Sequence, residues 1–194
     1  MEKDKLKLLE NECKNCKACE LAKTRENIVF ADGNPNTAKI FLIGEAPGEN
    51  EDKLGKPFVG RAGKLLDDFL SKAEIVREKD LYIANTIKCR PPKNRVPTQQ
   101  EKDSCRHFLE DQIRILSPKL ILLCGATALN SFCNKKCSIS KQRGEIFEIE
   151  INQITYKAMA IFHPSYLLRN HSLEKNSPRD LMLSDLKKVK NLFL

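Results

Sequence analysis

The stretch Lys39 to Leu70, KIFLIGEAPGENEDKLGKPFVGRAGKLLDDFL, decides the fold. Its opening run, Ile40-Phe41-Leu42-Ile43, is too short for a helix and apolar enough for a buried strand. Gly44-Glu45-Ala46-Pro47-Gly48 then forces a tight turn, because two glycines open backbone conformations and a proline fixes one. An acidic loop carrying Glu49, Glu51 and Asp52 leads to Pro57-Phe58-Val59-Gly60. A helix follows over 61–73, with Leu65, Leu66, Phe69 and Leu70 at helical spacing. In α/β proteins, the carboxyl end of a strand that runs into such a turn is where ligands sit.

Two phosphate-binding patterns are excluded here. A Walker A loop needs a glycine five residues before Gly63-Lys64 and Ser or Thr after them, whereas Phe58 and Leu65 occupy those places. The dinucleotide pattern GxGxxG is also missing. Phe58 stands out as an aromatic between proline and glycine on a loop. Such a residue either plugs the core or stacks on a flat ligand.

Working outward, three more apolar runs read as buried strands: Leu81 to Ile87, Lys119 to Leu123 and Lys157 to Phe162. A short strand is expected around Ile28–Phe30, and a short amphipathic helix over 5–12. Thr98-x-x-Glu101 is a capping box that starts a helix to about Leu116. Further helices are expected over 126–133 and from Leu181 to Phe193, with an irregular section over 134–156 containing a hairpin near Gly144. Strands alternating with helices argue a three-layer α/β/α fold around a central four-stranded parallel sheet.

At 194 residues the chain reads as one domain, 1–194, of which 1–25 is an amino-terminal segment. Lys plus Arg number 34 against 26 Asp plus Glu, and the net charge of +8 favours a polyanionic partner. No apolar leader follows Met1, and the longest apolar run, Leu120 to Cys124, is far too short to span a bilayer. A cytoplasmic protein is therefore expected. In that compartment eight cysteines point to metal binding or buried thiols in preference to disulfides.

The pattern GEAPG-x-x-E-D-x-x-G-x-PFVG-x-AG-x-LL resembles the first motif of the family 4 uracil-DNA glycosylases, the iron-sulfur type of bacteria and archaea. YIANTIKCRPPKNR and FHPSYLLR, with the cysteine spacing, match further family segments in the same order. The resemblance covers nearly the whole chain from Cys16 onward.

Cys16-x2-Cys19 lies near the start, and Cys89 and Cys105 bracket the start of the helix after the second strand. Four thiolates from two distant pairs suit zinc or a [4Fe-4S] cluster, and spacing does not separate the two. The family resemblance implies [4Fe-4S] on Cys16, Cys19, Cys89 and Cys105. Cys13 also forms a CxxC pair with Cys16, but Cys16/Cys19 fits the family's distance to Thr24-Arg25 and to the GEAPG turn. Cys124 reads as a core residue and Cys133-x3-Cys137 as incidental.

What the resemblance implies for chemistry is specific. The partner is uracil-containing DNA, single- or double-stranded, met by a monomer. A flipped-out uracil stacks on Phe58, pairs with Asn85 and meets the turn of Gly44, Glu45, Ala46 and Pro47. His163 donates to uracil O2 as negative charge builds there. The position where family 1 carries an aspartate general base is Ala46 here, so Glu45 and Glu51 are the carboxylates expected to position the water or stabilise the oxocarbenium ion. Leu167 is expected to fill the vacated base stack, and Arg169 and Arg179 to contact phosphates. No Schiff-base lysine stands out, so the expected enzyme is a monofunctional hydrolase. Two rival readings are a glycosylase for other deaminated bases and a non-catalytic iron-sulfur DNA-binding module.

Overall fold

The computed structural model describes residues 2–133 and 135–194. In chain order the elements are α1 (Glu2–Lys14), β1 (Asp32–Gly33), β2 (Ile40–Gly44), α2 (Glu49–Leu54), α3 (Arg61–Lys72), α4 (Arg77–Asp80) and β3 (Leu81–Asn85). They continue with α5 (Gln99–Leu116), β4 (Leu120–Cys124), α6 (Ala126–Asn130), α7 (Ile139–Gln142), β5 (Ile146–Ile151), β6 (Ile154–Ile161), α8 (Pro164–Leu167) and α9 (Pro178–Phe193). The strands form one sheet in the order β1-β3-β2-β4-β6-β5. Its inner four are parallel, as the apolar runs require, and an antiparallel strand is added at each edge.

Alternation along each strand sends neighbouring side chains to opposite faces. Ile40 and Leu42 join Leu66, Phe69 and Leu70 of α3 and Met182, Leu186 and Val189 of α9 in one core. Phe41 and Ile43 join Leu109 and Ile113 of α5, Ala128 and Leu129 of α6, and Leu6 of α1 in the other. The two cores make the three layers. Each fully buried Leu or Phe contributes roughly 1.5–3 kcal/mol, so α3 is anchored by its buried stripe. α5 begins where its capping box closes: the Glu101 amide donates to Thr98 Oγ1 and the Thr98 amide to Glu101 Oε2.

Register sets the site. Gly44 pairs with Asn85, Ile43 with Leu123, and Cys124 with Ile161, so the carboxyl ends of the four parallel strands lie level. The chain passes from β2 to β3 on one side and returns to β4 on the other, which puts a topological switch point at β2.

The structure corrects several expectations. The acidic loop is helix α2, ended by Gly55 at φ 67°. The strand expected around Ile28–Phe30 is absent: the Val29 amide makes one bond to the Lys88 carbonyl, and Asp32–Gly33 pairs with β3 instead. β3 ends at Asn85, short of Ile87, and the helix expected over 126–133 ends at Asn130. The hairpin is not at Gly144 but at Asn152-Gln153, both left-handed (φ 51° and 65°), joining β5 to β6. In the section expected to be irregular, residue 134 lies outside the described residues, and β5 and part of β6 occupy much of the rest.

Candidate active site

A cavity of about 490 Å³ opens at the level strand ends. Glu45, Ala46, Pro47, Gly48, Glu51, Phe58, Asn85, Gly125, His163, Tyr166 and Arg169 are among its lining residues. Phe58, Asn85 and His163 thus meet around one space. The rings of Phe58 and His163 are 5.8 Å apart, tilted by 37°. A Cβ added at Gly44 would stand 2.6 Å from the Phe58 ring and also collide with Asn85 Oδ1. Only glycine lets the turn come this close to both side chains.

Phe58 is held in a strained conformation. Its φ is +53°, a region L-residues rarely adopt. Arg77 donates from Nη1 to the Phe58 carbonyl (3.1 Å) and from Nη2 to the Pro57 carbonyl (2.8 Å). From the other side, Glu51 Oε1 accepts from the amides of Val59 (2.9 Å) and Gly60 (2.7 Å), while Oε2 accepts from Gly48 (3.1 Å). Glu51 therefore braces the turn against the Phe58 loop, a use that sequence reading did not foresee. Glu45 differs: no described residue hydrogen-bonds its carboxylate, while its carbonyl accepts from Thr86 Oγ1 (2.5 Å). Asn85 is 2% exposed, and Thr86 beside it also donates its amide to the Gly44 carbonyl (2.9 Å).

His163 caps α8. Its Nδ1 accepts from the Ser165 amide at 3.2 Å and lies 2.8 Å from Ser165 Oγ. An amide only donates, so Nδ1 carries the lone pair and the proton of the neutral ring sits on Nε2. Burial draws the imidazole down from 6.5 to about 4, with Glu51 opposing weakly. The ring is neutral near pH 7.

Two expected DNA contacts fall elsewhere. Leu167 is 0% exposed and packs in the core of α3 and α9, so it does not serve as a wedge. Arg179 is spent inside the loop, donating to the carbonyls of Asn170 (3.0 Å) and Leu167 (3.2 Å). Arg169 is exposed at the cavity. Exposed Leu173, at 77%, is the apolar side chain this loop does present to solvent.

The amino-terminal cysteines fold back onto the helix after β3. Cys16 and Cys19, partly buried, pack with Cys13, Cys89 and Cys105 in a nest closed by Leu9, Leu21, Phe30 and Phe108. All are free thiols, and burial raises those of Cys13, Cys89 and Cys105. Arg25 Nη1 donates to Cys89 Sγ (3.3 Å) and Nη2 to the Cys16 carbonyl (2.9 Å). Lys88 is 0% exposed; its Nζ donates to the Asn85 carbonyl (3.0 Å) and to Gln112 Oε1 (2.6 Å). A guanidinium set against a group of sulfurs fits an anionic thiolate-bound group. Among the described residues, no three His, Cys, Asp or Glu side chains converge as a site for one metal ion. Nor is any helix among them long and apolar enough to cross a membrane.

A sheet switch point with an aromatic ring, a buried amide and an imidazole lining one cavity defines an α/β protein with a single site at its strand ends. The family model of the uracil DNA glycosylase superfamily matches residues 30–187, and the chain belongs to that superfamily. Within it the chain groups with the type-4 members. It is 47% identical over 191 residues to the type-4 uracil-DNA glycosylase of Thermotoga maritima, covering 96% of this chain and 93% of that one. To the type-4 uracil-DNA glycosylase of Archaeoglobus fulgidus it is 40% identical, covering 93% and 89%. A segment of the DNA polymerase of Bacillus phage SP01 is also similar, 30% identical over 144 residues, which make up 15% of that protein.

Proposed function

We propose that the protein hydrolyses the N-glycosidic bond of uracil in DNA, leaving an abasic site for base excision repair. The convergence of Phe58, Asn85 and His163 on one cavity supports this reading more than any other observation. Phe58 stacks on the extruded ring, and the Asn85 amide both donates to and accepts from its edge. As the bond breaks, negative charge grows on the uracil ring and positive charge on the sugar. His163 meets the first with the Nε2 proton of a neutral ring, fixed in that tautomer by Ser165. Each tenfold gain in rate needs about 1.4 kcal/mol of such stabilisation. Glu45, whose carboxylate is unengaged, positions the water, whereas Glu51 holds the pocket's shape.

Cys16, Cys19, Cys89 and Cys105 would hold a [4Fe-4S] cluster, which when bound cross-links the amino-terminal segment to the helix after β3. The enzyme acts as a monomer on single- or double-stranded DNA, with Arg169 at a phosphate and Leu173 in place of Leu167 as the apolar wedge. Oligonucleotides carrying uracil, hypoxanthine or xanthine, treated with enzyme and then alkali, test the assignment. Uracil strands should be cut by wild type and spared by the double variant Phe58→Ala/Asn85→Ala. Cutting that survives the double variant, or a preference for the purines, would overturn the proposed pocket.

A further inference from the structure

Beyond Glu45, the turn that follows β2 has one uncommitted main-chain donor. Pro47 carries no N–H, and the Gly48 amide is taken by Glu51 Oε2 at 3.1 Å. The Ala46 amide meets no acceptor among the described residues, although Ala46 is half-buried and lines the cavity. Such an N–H takes its partner from outside the chain, water or ligand.

What aims it is Thr86, which follows Asn85 at the end of β3 and is 3% exposed. Its N–H donates to the Gly44 carbonyl (2.9 Å) and its hydroxyl to the Glu45 carbonyl (2.5 Å). Two successive carbonyls of the turn are thus held by one residue, and β-branching keeps that hydroxyl stiff. Among the described residues no peptide bond is cis. In the plane joining Glu45 to Ala46, the N–H therefore points opposite to the carbonyl. Pinning the oxygen toward Thr86 sends the Ala46 N–H away from it. Thr86 itself lines a separate cavity of about 230 Å³, with Gln99, Lys102 and Arg106 of α5. It acts through the turn and not on whatever the turn binds.

We propose that Thr86 is a positioning residue for the reaction. It fixes the Glu45–Ala46 peptide so that the Ala46 N–H meets a carbonyl oxygen of the departing pyrimidine, where negative charge grows. This rests on the activity proposed above. A dipole fixed in advance needs no reorganisation when the bond breaks, and it counts most where charge develops. The Ala46 N–H and His163 then serve one anion from two elements. Without the hydroxyl, the Glu45 carbonyl loses its donor and the peptide plane is free to tilt.

The test compares full-length wild type, Thr86→Val, Thr86→Ala and Thr86→Ser on oligonucleotides carrying uracil or 5-fluorouracil. Thr86→Val keeps the side chain's shape and the main-chain bond to Gly44 but deletes the hydroxyl donor. Removing an oxyanion-type donor outright costs about 10²–10³ in kcat, and loosening one should cost roughly tenfold. The loss should fall on kcat with little change in KM, as for an interaction made in the transition state. Fluorine stabilises the departing anion by itself, so the loss should shrink on 5-fluorouracil. Thr86→Ser should recover most of the rate. Should Thr86→Val fail to fold, Thr86→Ala, which adds no atom, carries the same comparison. Variants at the wild-type rate, a loss confined to KM, or equal losses on the two bases would overturn the role of Thr86 alone. A wild-type protein that cuts neither base would overturn the activity reading and this inference with it.

Discussion

Phe58 shows how a single side chain's placement is written into its backbone. A left-handed non-glycine residue costs about 1–3 kcal/mol, and Arg77, Glu51 and the glycine at 63 share in holding it there. A Cβ at Gly63 would drive into the Phe58 main chain. His163 yields a prediction of definite sign. Its folded value, about 4, lies below the unfolded 6.5, so the unfolded chain binds the extra proton first as pH falls. Unfolding free energy should therefore drop by up to about 1.4 kcal/mol per unit between pH 6.5 and 4, and level off below. Urea unfolding of wild type and His163→Asn across that range measures it, the variant losing the slope. With neutral His163 as the proposed donor, kcat should not fall through pH 6.5; an acid limb there would count against that assignment. At this scale Phe58 drew notice through its Pro and Gly flanks, whereas Asn85 and His163 were singled out through the family resemblance; the structure adds that all three line one cavity. Arg77, Thr86 and Lys88 were not legible, since each acts on a partner far away in sequence or on a carbonyl. Leu167 misled for a local reason: in Tyr166-Leu167-Leu168, one turn of helix points the first leucine inward.

Among the elements, the four parallel strands were plain as short unbroken apolar runs, while the edge strands were not. β5, Ile146–Ile151, alternates as Ile-Phe-Glu-Ile-Glu-Ile, the pattern of a strand with one wet face. Its turn, Asn152-Gln153, lacks the glycine that usually advertises a two-residue hairpin, and Gly144 drew the eye instead. α2 was hidden by its acidic run, which suits a helix start once the Glu51 carboxylate reaches back to the Gly48 amide. The loop between α8 and α9 is tied at its base by Arg179 and leaves Leu173 outside. Leu173→Ala should lower kcat/KM on duplex DNA several-fold while changing single-stranded activity little, because only a duplex has a stack to fill. Equal losses on both substrates would assign Leu173 to general binding.

At the scale of the molecule, the stretch between α1 and β1 is held by the buried side chains of Leu21, Val29 and Phe30, the first and last of which pack in the cysteine nest. Between α1 and β1 it makes a single tight turn over Glu20–Lys23, and Asp52 and Arg25 supply much of its polar contact. With the proposed cluster in that nest, removing iron with acid or chelator should lower the melting temperature and raise proteolysis near residues 14–26, sparing the sheet. A protein that melts unchanged after iron removal would show that the apolar nest suffices by itself. The three-layer fold was legible from alternation of apolar runs. The gathering of cysteines from positions 16 and 105 was legible only through resemblance, because sequence spacing says nothing of how distant segments meet.

Gly44 carries a consequence for how such a protein can diversify. With the Phe58 ring and the Asn85 amide both pressed against that floor, no atom can be added at Gly44 without displacing one of them. A change of ligand must therefore be made in the walls and rim, at lining positions such as 45 and 126 whose side chains brace nothing else. The floor stays fixed while those positions vary.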